Sequence, residues 1–222
     1  MKLSLSLISI AILYGSGFSQ PSPNKVSICT QDVIEKISSR GIKLGMDVDE
    51  TLDAFAENGN LTVFRLEHNE NGRDKLVTAE YPLQQARTNL QNDTKARFGY
   101  STINVVPKDK ARFDGISRYE FGFLDFKLTY YQVYYLRPSW KNQEQFVRNV
   151  SETFGLPVNE RLVDQSRYSV NCGDYLVGFR MPGNEEATSS MTVDANTAAK
   201  IKDRSDRSIA EQREKDLKAF KP

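Results

Sequence analysis

Residues 41–55 read GIKLGMDVDETLDAF, and the fold prediction starts from this stretch. In one interpretation Asp47 caps a helix while Glu50, three residues later, bonds back to the cap, which is the reciprocal capping box. The spacing predicts a helix from Val48 to about Ala56, with Leu52 facing a core. This interpretation gives the stretch a structural role inside a binding module.

The same stretch carries a second pattern. Asp47-Val48-Asp49-Glu50-Thr51-Leu52 is D-x-D-x-T-L, which resembles the nucleophile motif of haloacid-dehalogenase-type phosphatases. The resemblance implies that Asp47 attacks phosphorus and that Asp49 acts as acid and base beside a metal ion. The motif should follow a continuously apolar, buried parallel strand, yet Lys43 and Gly45 interrupt the preceding residues. We therefore predict that the chain is not an enzyme and keep the metal-dependent phosphatase as the alternative.

The first residues of the chain predict export. Lys2 precedes an apolar run that is too short to span a membrane, and small residues follow it where a signal peptidase would cut. We expect residues 1–19 to be a signal peptide and residues 20–28 a flexible lead-in. The mature protein would then be periplasmic or secreted, with no transmembrane segment.

Charge and histidine content narrow the function classes. Loss of the single charge in residues 1–19 would take the formal net charge from +1 to 0, so no electrostatic case exists for a nucleic-acid partner. His68 is the only histidine and lies beside a predicted hairpin turn, and one histidine makes no histidine-rich metal site. We expect no cofactor and no metal.

The chain has two cysteines, Cys29 and Cys172. An exported protein enters an oxidising compartment, where such a pair is expected to form a disulfide. The bond would close a loop of more than a hundred residues, for which chain-entropy models give a stabilisation of about 4–5 kcal/mol. The sequence therefore predicts a bridge that ties the start of the domain to its end.

Hairpins dominate the predicted secondary structure. Asn71-Gly72, 124–127 and Gly173-Asp174 are turn signals between runs rich in β-branched and aromatic residues. Strands are predicted at 61–66, 75–79, from 103 onward, and at 116–123, 128–136, 168–172, 175–181 and 190–193, and helices at 30–39, 48–56 and 143–154, with a loose helix within 81–97.

Because hairpins join neighbouring strands, the predicted class is α+β, a mostly antiparallel sheet with short helices packed on one face. The order also admits two helix-plus-strands halves. We expect one domain at 29–194, followed by a charged helix or tail at 195–222. Most aromatic residues are expected in the core, and one group is a candidate ligand or partner surface: Tyr130, Tyr131, Tyr134 and Tyr135.

The segment Gly41–Glu50 places Leu44-Gly45-Met46 just before a capped helix. It resembles the corresponding element of small bacterial envelope domains, the SmpA/OmlA (BamE-like) lipoprotein domains and the β-lactamase-inhibitor-protein-like fold, over an outline spanning 29–194. The resemblance implies a pair of short helices on an antiparallel sheet that presents a sheet face or loops to a protein partner. The chain lacks the lipidation cysteine of the lipoproteins. The predicted function is an exported, non-enzymatic scaffold whose partner is another protein.

Overall fold

The computed structural model describes residues 34, 37–68, 74–96, 98–136, 140–156, 167–181 and 189–219. The predicted signal peptide, the lead-in, most of the predicted helix 30–39 and the Asn71-Gly72 turn lie outside these residues. No helix in the described part of the chain has the length and hydropathy to cross a membrane. The described helices are α1 (Val48–Asp53), α2 (Leu83–Ala96), α3 (Gln143–Phe154) and α4 (Thr197–Ala219).

Eight strands of the described residues form a single sheet in the order β2-β1-β3-β4-β5-β8-β7-β6, and every pair of neighbours is antiparallel. This confirms the predicted α+β class. The strands are β1 (Asn60–His68), β2 (Asp74–Pro82), β3 (Tyr100–Val106), β4 (Ile116–Leu124), β5 (Lys127–Tyr135), β6 (Arg167–Cys172), β7 (Tyr175–Arg180) and β8 (Ser190–Asp194).

The strand order contains two three-stranded meanders. The first meander is β3-β4-β5 and the second is β6-β7-β8. They lie side by side because their last strands, β5 and β8, pair with each other. A helix precedes each meander, α2 before β3 and α3 before β6. This arrangement matches the predicted outline of two helix-plus-strands halves.

Local sequence determines the tight turns. The turn between β4 and β5 places Asp125 at φ 51° and Phe126 at φ 64°, and two consecutive left-handed residues match the right-handed twist of a hairpin. Gly173 adopts φ 64° in the turn between β6 and β7, a conformation that glycine takes without steric cost. Both predicted hairpins are confirmed.

Alternate residues of the central strands point to one face and form the core. On β4 and β5 these include Tyr119, Phe121 and Val133, all fully buried. The helices cover this face. The ring of Phe146 on α3 lies 6.1 Å from that of Phe179 on β7, and α2 contacts β3 on the same face. The predicted packing of helices on one face is therefore confirmed for α1 to α3.

Both ends of α3 follow the sequence prediction. The side chain of Asn142 accepts a hydrogen bond from the backbone N–H of Gln145 at 2.9 Å, which satisfies an otherwise free donor of the first turn. Gly155 ends the helix in the left-handed conformation, and its N–H donates to the backbone carbonyl of Glu152. Local capping chemistry is enough to set these boundaries.

The predicted capping box at Asp47 and Glu50 is wrong. Asp47 does occupy the N-cap position with an extended backbone, but its side chain makes no capping hydrogen bond. Its carboxylate instead lies 2.7 Å from the ammonium group of Lys127, and Glu50 is exposed. The helix is also shorter than predicted, ending at Asp53.

The physical reason for that error is a contact that is distant in sequence. The N–H of Gly45 donates to the carbonyl of Leu128, and the N–H of Leu128 donates to the carbonyl of Met46. These bonds hold residues 45–47 beside the start of β5, which brings Asp47 next to Lys127. With its carboxylate at this distance from an ammonium group, Asp47 forms the ion pair in place of the capping hydrogen bond.

The predicted charged C-terminal segment is a helix. Arg204 anchors α4 to the β4–β5 turn, because its guanidinium donates to the carboxylate of Asp125 at 2.8 Å and to the carbonyl of Phe98 at 3.2 Å. Residues 206–219 are exposed and carry pairs four residues apart such as Glu214–Lys218. Such pairs stabilise a solvated helix by a few tenths of a kcal/mol each.

Candidate functional site: the open face of the sheet

The sheet face opposite α1, α2 and α3 carries the candidate site, and we call it the open face. The register pairs Arg118 with Tyr134 and Glu120 with Gln132 across β4 and β5, so these side chains project on the same side. The open face consists of Phe64, Tyr100, Thr102, Asn104, Arg118, Glu120, Gly122, Tyr130, Gln132, Tyr134, Ser190, Thr192 and Asp194.

The structure divides the four tyrosines predicted to form one surface. Tyr130 and Tyr134 lie on the open face and are half-buried, whereas Tyr131 is fully buried in the core. Tyr135 also faces the core, with its ring 5.7 Å from that of Phe146. The prediction is therefore wrong for Tyr131 and Tyr135, because successive side chains of a strand point to opposite faces.

The Tyr131 hydroxyl gives a direct test of this assignment. It is buried, and no described residue forms a hydrogen bond with it. The Tyr119 hydroxyl, in contrast, lies 2.8 Å from the hydroxyl of Ser39. Because an unsatisfied buried polar group costs about 1–3 kcal/mol, we expect Tyr131→Phe to leave the free energy of unfolding unchanged or to raise it.

Tyr119→Phe serves as the matched control and should lower the free energy of unfolding by about 1–3 kcal/mol, since it orphans the Ser39 hydroxyl. Urea titrations of both variants measure the difference. A loss for Tyr131→Phe equal to that of Tyr119→Phe would mean that the Tyr131 hydroxyl has a partner.

Hydrogen bonds fix the side chains of the open face. The Tyr130 hydroxyl donates to the Gln132 amide oxygen at 2.9 Å, and the Gln132 amide nitrogen donates to the Ser190 hydroxyl at 2.8 Å. The Tyr134 hydroxyl donates to the Glu120 carboxylate at 3.2 Å. These contacts link β4, β5 and β8, so the surface is ordered before any ligand arrives and loses little side-chain entropy on binding.

Arg118 lies between two aromatic rings. Its guanidinium carbon is 3.7 Å from the ring centre of Tyr134 and 4.9 Å from that of Phe64. Cation–π contacts of this kind are worth about 0.5–1 kcal/mol at exposed sites. They hold the guanidinium beside these two rings, and guanidinium N–H groups are donors that suit a carboxylate or carbonyl group.

The tyrosines of the open face remain neutral at physiological pH. Burial raises the pKa of Tyr100 to about 12, with a further contribution from the Glu120 carboxylate. Burial, followed by the same carboxylate, also raises the pKa of Tyr130 and of Tyr134. Neutral phenols act as hydrogen-bond donors and acceptors, so the chemistry of the face suits recognition.

Gly122 leaves space for the aromatic rings of the open face. A Cβ atom at this position would lie 2.6 Å from the Tyr100 hydroxyl oxygen and 3.1 Å from the Cβ of Tyr130. We expect Gly122→Ala to displace the Tyr100 ring and to lower the free energy of unfolding by about 1–3 kcal/mol. Chemical denaturation and the near-ultraviolet spectrum of the tyrosines measure both effects.

Gly178 on β7 provides the control for that substitution. A Cβ atom there meets only the Cβ of Thr192, at an ordinary contact distance of 3.7 Å. Gly178→Ala should be neutral or stabilising by up to about 1 kcal/mol, because it reduces the freedom of the unfolded chain. If both variants lowered the free energy of unfolding equally, the space beside the Tyr100 ring would not depend on glycine at position 122.

The structure places both aspartates of the phosphatase motif on the surface, next to basic side chains. Asp47 pairs with Lys127, and Asp49 lies 2.8 Å from Arg87, with side chains 57% and 71% exposed. Every strand pair in the described residues is antiparallel, so neither carboxylate follows a parallel strand. The described residues also contain no group of three or more potential metal ligands.

Cys172 ends β6, where it is fully buried in the core. The described part of the chain contains no free cysteine. Cys29 lies outside the described residues, so its pairing with Cys172 stays a prediction. The side chain of His68, at the end of β1, is likewise not described.

Sequence reasoning missed the residues that complete the open face. Arg118, Glu120 and Gly122 alternate with buried aromatic residues along β4, and this period-two pattern was visible in the sequence. Tyr100 and Phe64 become members only through strand pairing. No family model, curated protein or solved structure matches the chain.

Proposed function

We propose that the chain is an exported, non-enzymatic module of the bacterial cell envelope that binds another protein through the open face. The observation that carries the proposal is an ordered cluster of tyrosines around Arg118 on the sheet face that α1, α2 and α3 leave uncovered. Tyrosine and arginine are enriched among the residues that dominate binding energy in protein interfaces. The resemblance of Gly41–Glu50 to envelope domains supports the same role.

The dimensions of the face fit such a role. The five adjacent strands that contribute to the open face, about 4.8 Å apart, span roughly 19 Å, and strands of five to nine residues are about 17–30 Å long. The face therefore offers a flat area on the order of 300–600 Å², enough for the central part of a standard interface, in which each partner buries ~800 Å². A small-molecule site would instead be a concave pocket that encloses its ligand.

Site-specific photo-crosslinking in the producing cell tests the proposal. A benzoylphenylalanine at Thr192 reports on the open face, and the same residue at Gln212 on the exposed part of α4 is the control. We expect a discrete cross-linked protein at Thr192 and none at Gln212. The partner is then purified, and its affinity is measured for Arg118→Glu and for the matched surface variant Arg213→Glu.

Arg118→Glu should weaken binding by about tenfold or more, because it removes a central charged and aromatic-stacked residue. Arg213→Glu should bind as the unmodified chain does. Cross-links confined to Gln212, or full affinity of Arg118→Glu, would contradict the proposed use of the open face.

The alternative function is a metal-dependent phosphatase using Asp47 and Asp49, and Asp47→Asn separates the two. In the proposed binding module this variant removes only the exposed ion pair with Lys127, so we expect a stability loss of at most about 1 kcal/mol. Hydrolysis of p-nitrophenyl phosphate with magnesium, measured before and after the substitution, is the assay. Activity that disappears with Asp47→Asn would establish the phosphatase instead.

A further inference from the structure

The sheet opens between β1 and β3. β1 pairs with β2 along its whole length, and β3 pairs with β4 from Tyr100 to Val105. Between β1 and β3, however, the ladder holds only Thr62 opposite Val106 and Val63 opposite Val105. A continued register would pair residues 64–66 with 102–104, yet within the described ranges these stretches have no second strand partner.

A cleft of about 250 Å³ occupies this opening. Helix α2 forms its floor, with Ala86 and Leu90 buried beneath it. Asn89 and Asp93 of the same helix add polar groups at its wall, and Ile103 lines it from β3. The cleft is continuous with the open face, because Phe64 and Thr102 also line it.

We propose that the cleft is a strand-addition site, in which an extended segment of the protein partner pairs with the edge of β3 at residues 100–104, which has no strand partner among the described residues. This inference rests on the proposed function, since the segment belongs to the partner that the open face binds. It goes further by stating the form in which the partner binds.

The backbone of β3 determines this choice of occupant. An unpaired strand edge presents a regular row of N–H and C=O groups, which only another extended backbone can satisfy in register. β3 is held in place by β4 on its other side, so the template is rigid.

The two sides of the cleft predict the sequence character of the segment. Side chains of an added strand would alternate between α2 and solvent. Those facing α2 meet Ala86, Leu90 and Ile103, so they must be small and apolar. Those facing outward join Thr102 and Asn104 on the open face, so they can be polar. The partner segment should therefore alternate apolar and polar residues.

Amide hydrogen exchange of the free protein is the first test. Along 100–104 alternate N–H groups point to β4 and to the cleft, so protection should alternate with a period of two. Uniform protection of all five amides would overturn the proposal, because the edge of β3 would already be occupied.

Selection from a phage-displayed library of twelve-residue peptides against the purified chain is the second test. Selected peptides should alternate apolar and polar residues and should protect the exchanging amides of 100–104. Asn89→Trp, which fills the cleft from α2, should weaken peptide binding about tenfold or more, whereas Gln91→Trp on the exposed side of the same helix should not. Asn89→Arg gives a second filling variant should the tryptophan disturb the fold.

Failure to select a peptide, protection outside 100–104, or full binding to both Asn89 variants would overturn strand addition. These results are separable from the proposed function. A partner that cross-links at Thr192 while Asn89→Trp leaves its affinity unchanged would keep the open-face interface and exclude the strand. If no protein cross-links at Thr192, that result contradicts the proposed function itself.

Discussion

Replacing Phe55 with alanine is expected to lower the free energy of unfolding by about 3–5 kcal/mol. Phe55 follows α1 and is 3% exposed. Its ring centre lies 4.7 Å from that of Phe113, 5.1 Å from Tyr119 and 5.4 Å from Phe121. Removal of the ring leaves a cavity among three aromatic side chains and loses their offset and edge contacts, each worth about 0.5–1.5 kcal/mol beyond buried area.

Phe98→Ala is the matched control, because Phe98 is 49% exposed and precedes β3. It should change the free energy of unfolding by no more than about 1 kcal/mol. Urea titrations followed by the fluorescence of Trp140 measure both variants, and an unchanged slope would show that only stability has moved. A loss below about 1 kcal/mol for Phe55→Ala would mean that the region around α1 is not part of the cooperative core.

The parts of the fold that follow from local sequence were predictable. The β4–β5 and β6–β7 hairpins depend on two-residue turns flanked by β-rich runs, and α3 depends on a polar cap and a terminal glycine. These signals act within a few residues of the elements that they define. The helix at Leu83–Ala96 could be anticipated for a similar reason, because its sequence contains no glycine or proline.

Features that depend on distant contacts could not be predicted in this way. The partner of the Asp47 carboxylate is Lys127, eighty positions later in the sequence. The sequence allows both a helix cap and an ion pair at Asp47, and it does not show which of them forms. The open face gains Phe64 only because β1 lies beside β3. The cleft over α2 exists because the pairing of β1 with β3 stops after two residue pairs. Hydrophobic periodicity in the sequence does not indicate where such a pairing stops.

The tyrosine group represents a different kind of error. Tyr130 and Tyr134 share one face of β5, while Tyr131 and Tyr135 share the other, as the period of a strand requires. Treating the four residues as one surface ignored this alternation, although the strand itself was correctly predicted. With the alternation applied, the sequence alone places one pair in the core and the other on the opposite face.

Reduction of the predicted Cys29–Cys172 disulfide is expected to lower the free energy of unfolding by about 4–5 kcal/mol. The bond would close a loop of more than a hundred residues and so restrict the unfolded chain strongly. Cys172 is fully buried at the end of β6, an edge strand of the sheet. The bridge would therefore tie residue 29 to the second meander. Urea titration with and without tris(carboxyethyl)phosphine measures the difference.

A double variant, Cys29→Ala with Cys172→Ala, separates the bond from other effects of the reductant. It should resemble the reduced chain in stability and should not respond to reductant, whereas the unmodified chain should respond strongly. Mass spectrometry of the secreted protein with iodoacetamide gives the covalent state: no alkylation before reduction and two alkylated cysteines after it. Alkylation before reduction would show that the cysteines are not bridged. The expected stabilisation of the exported protein by a disulfide would then be wrong.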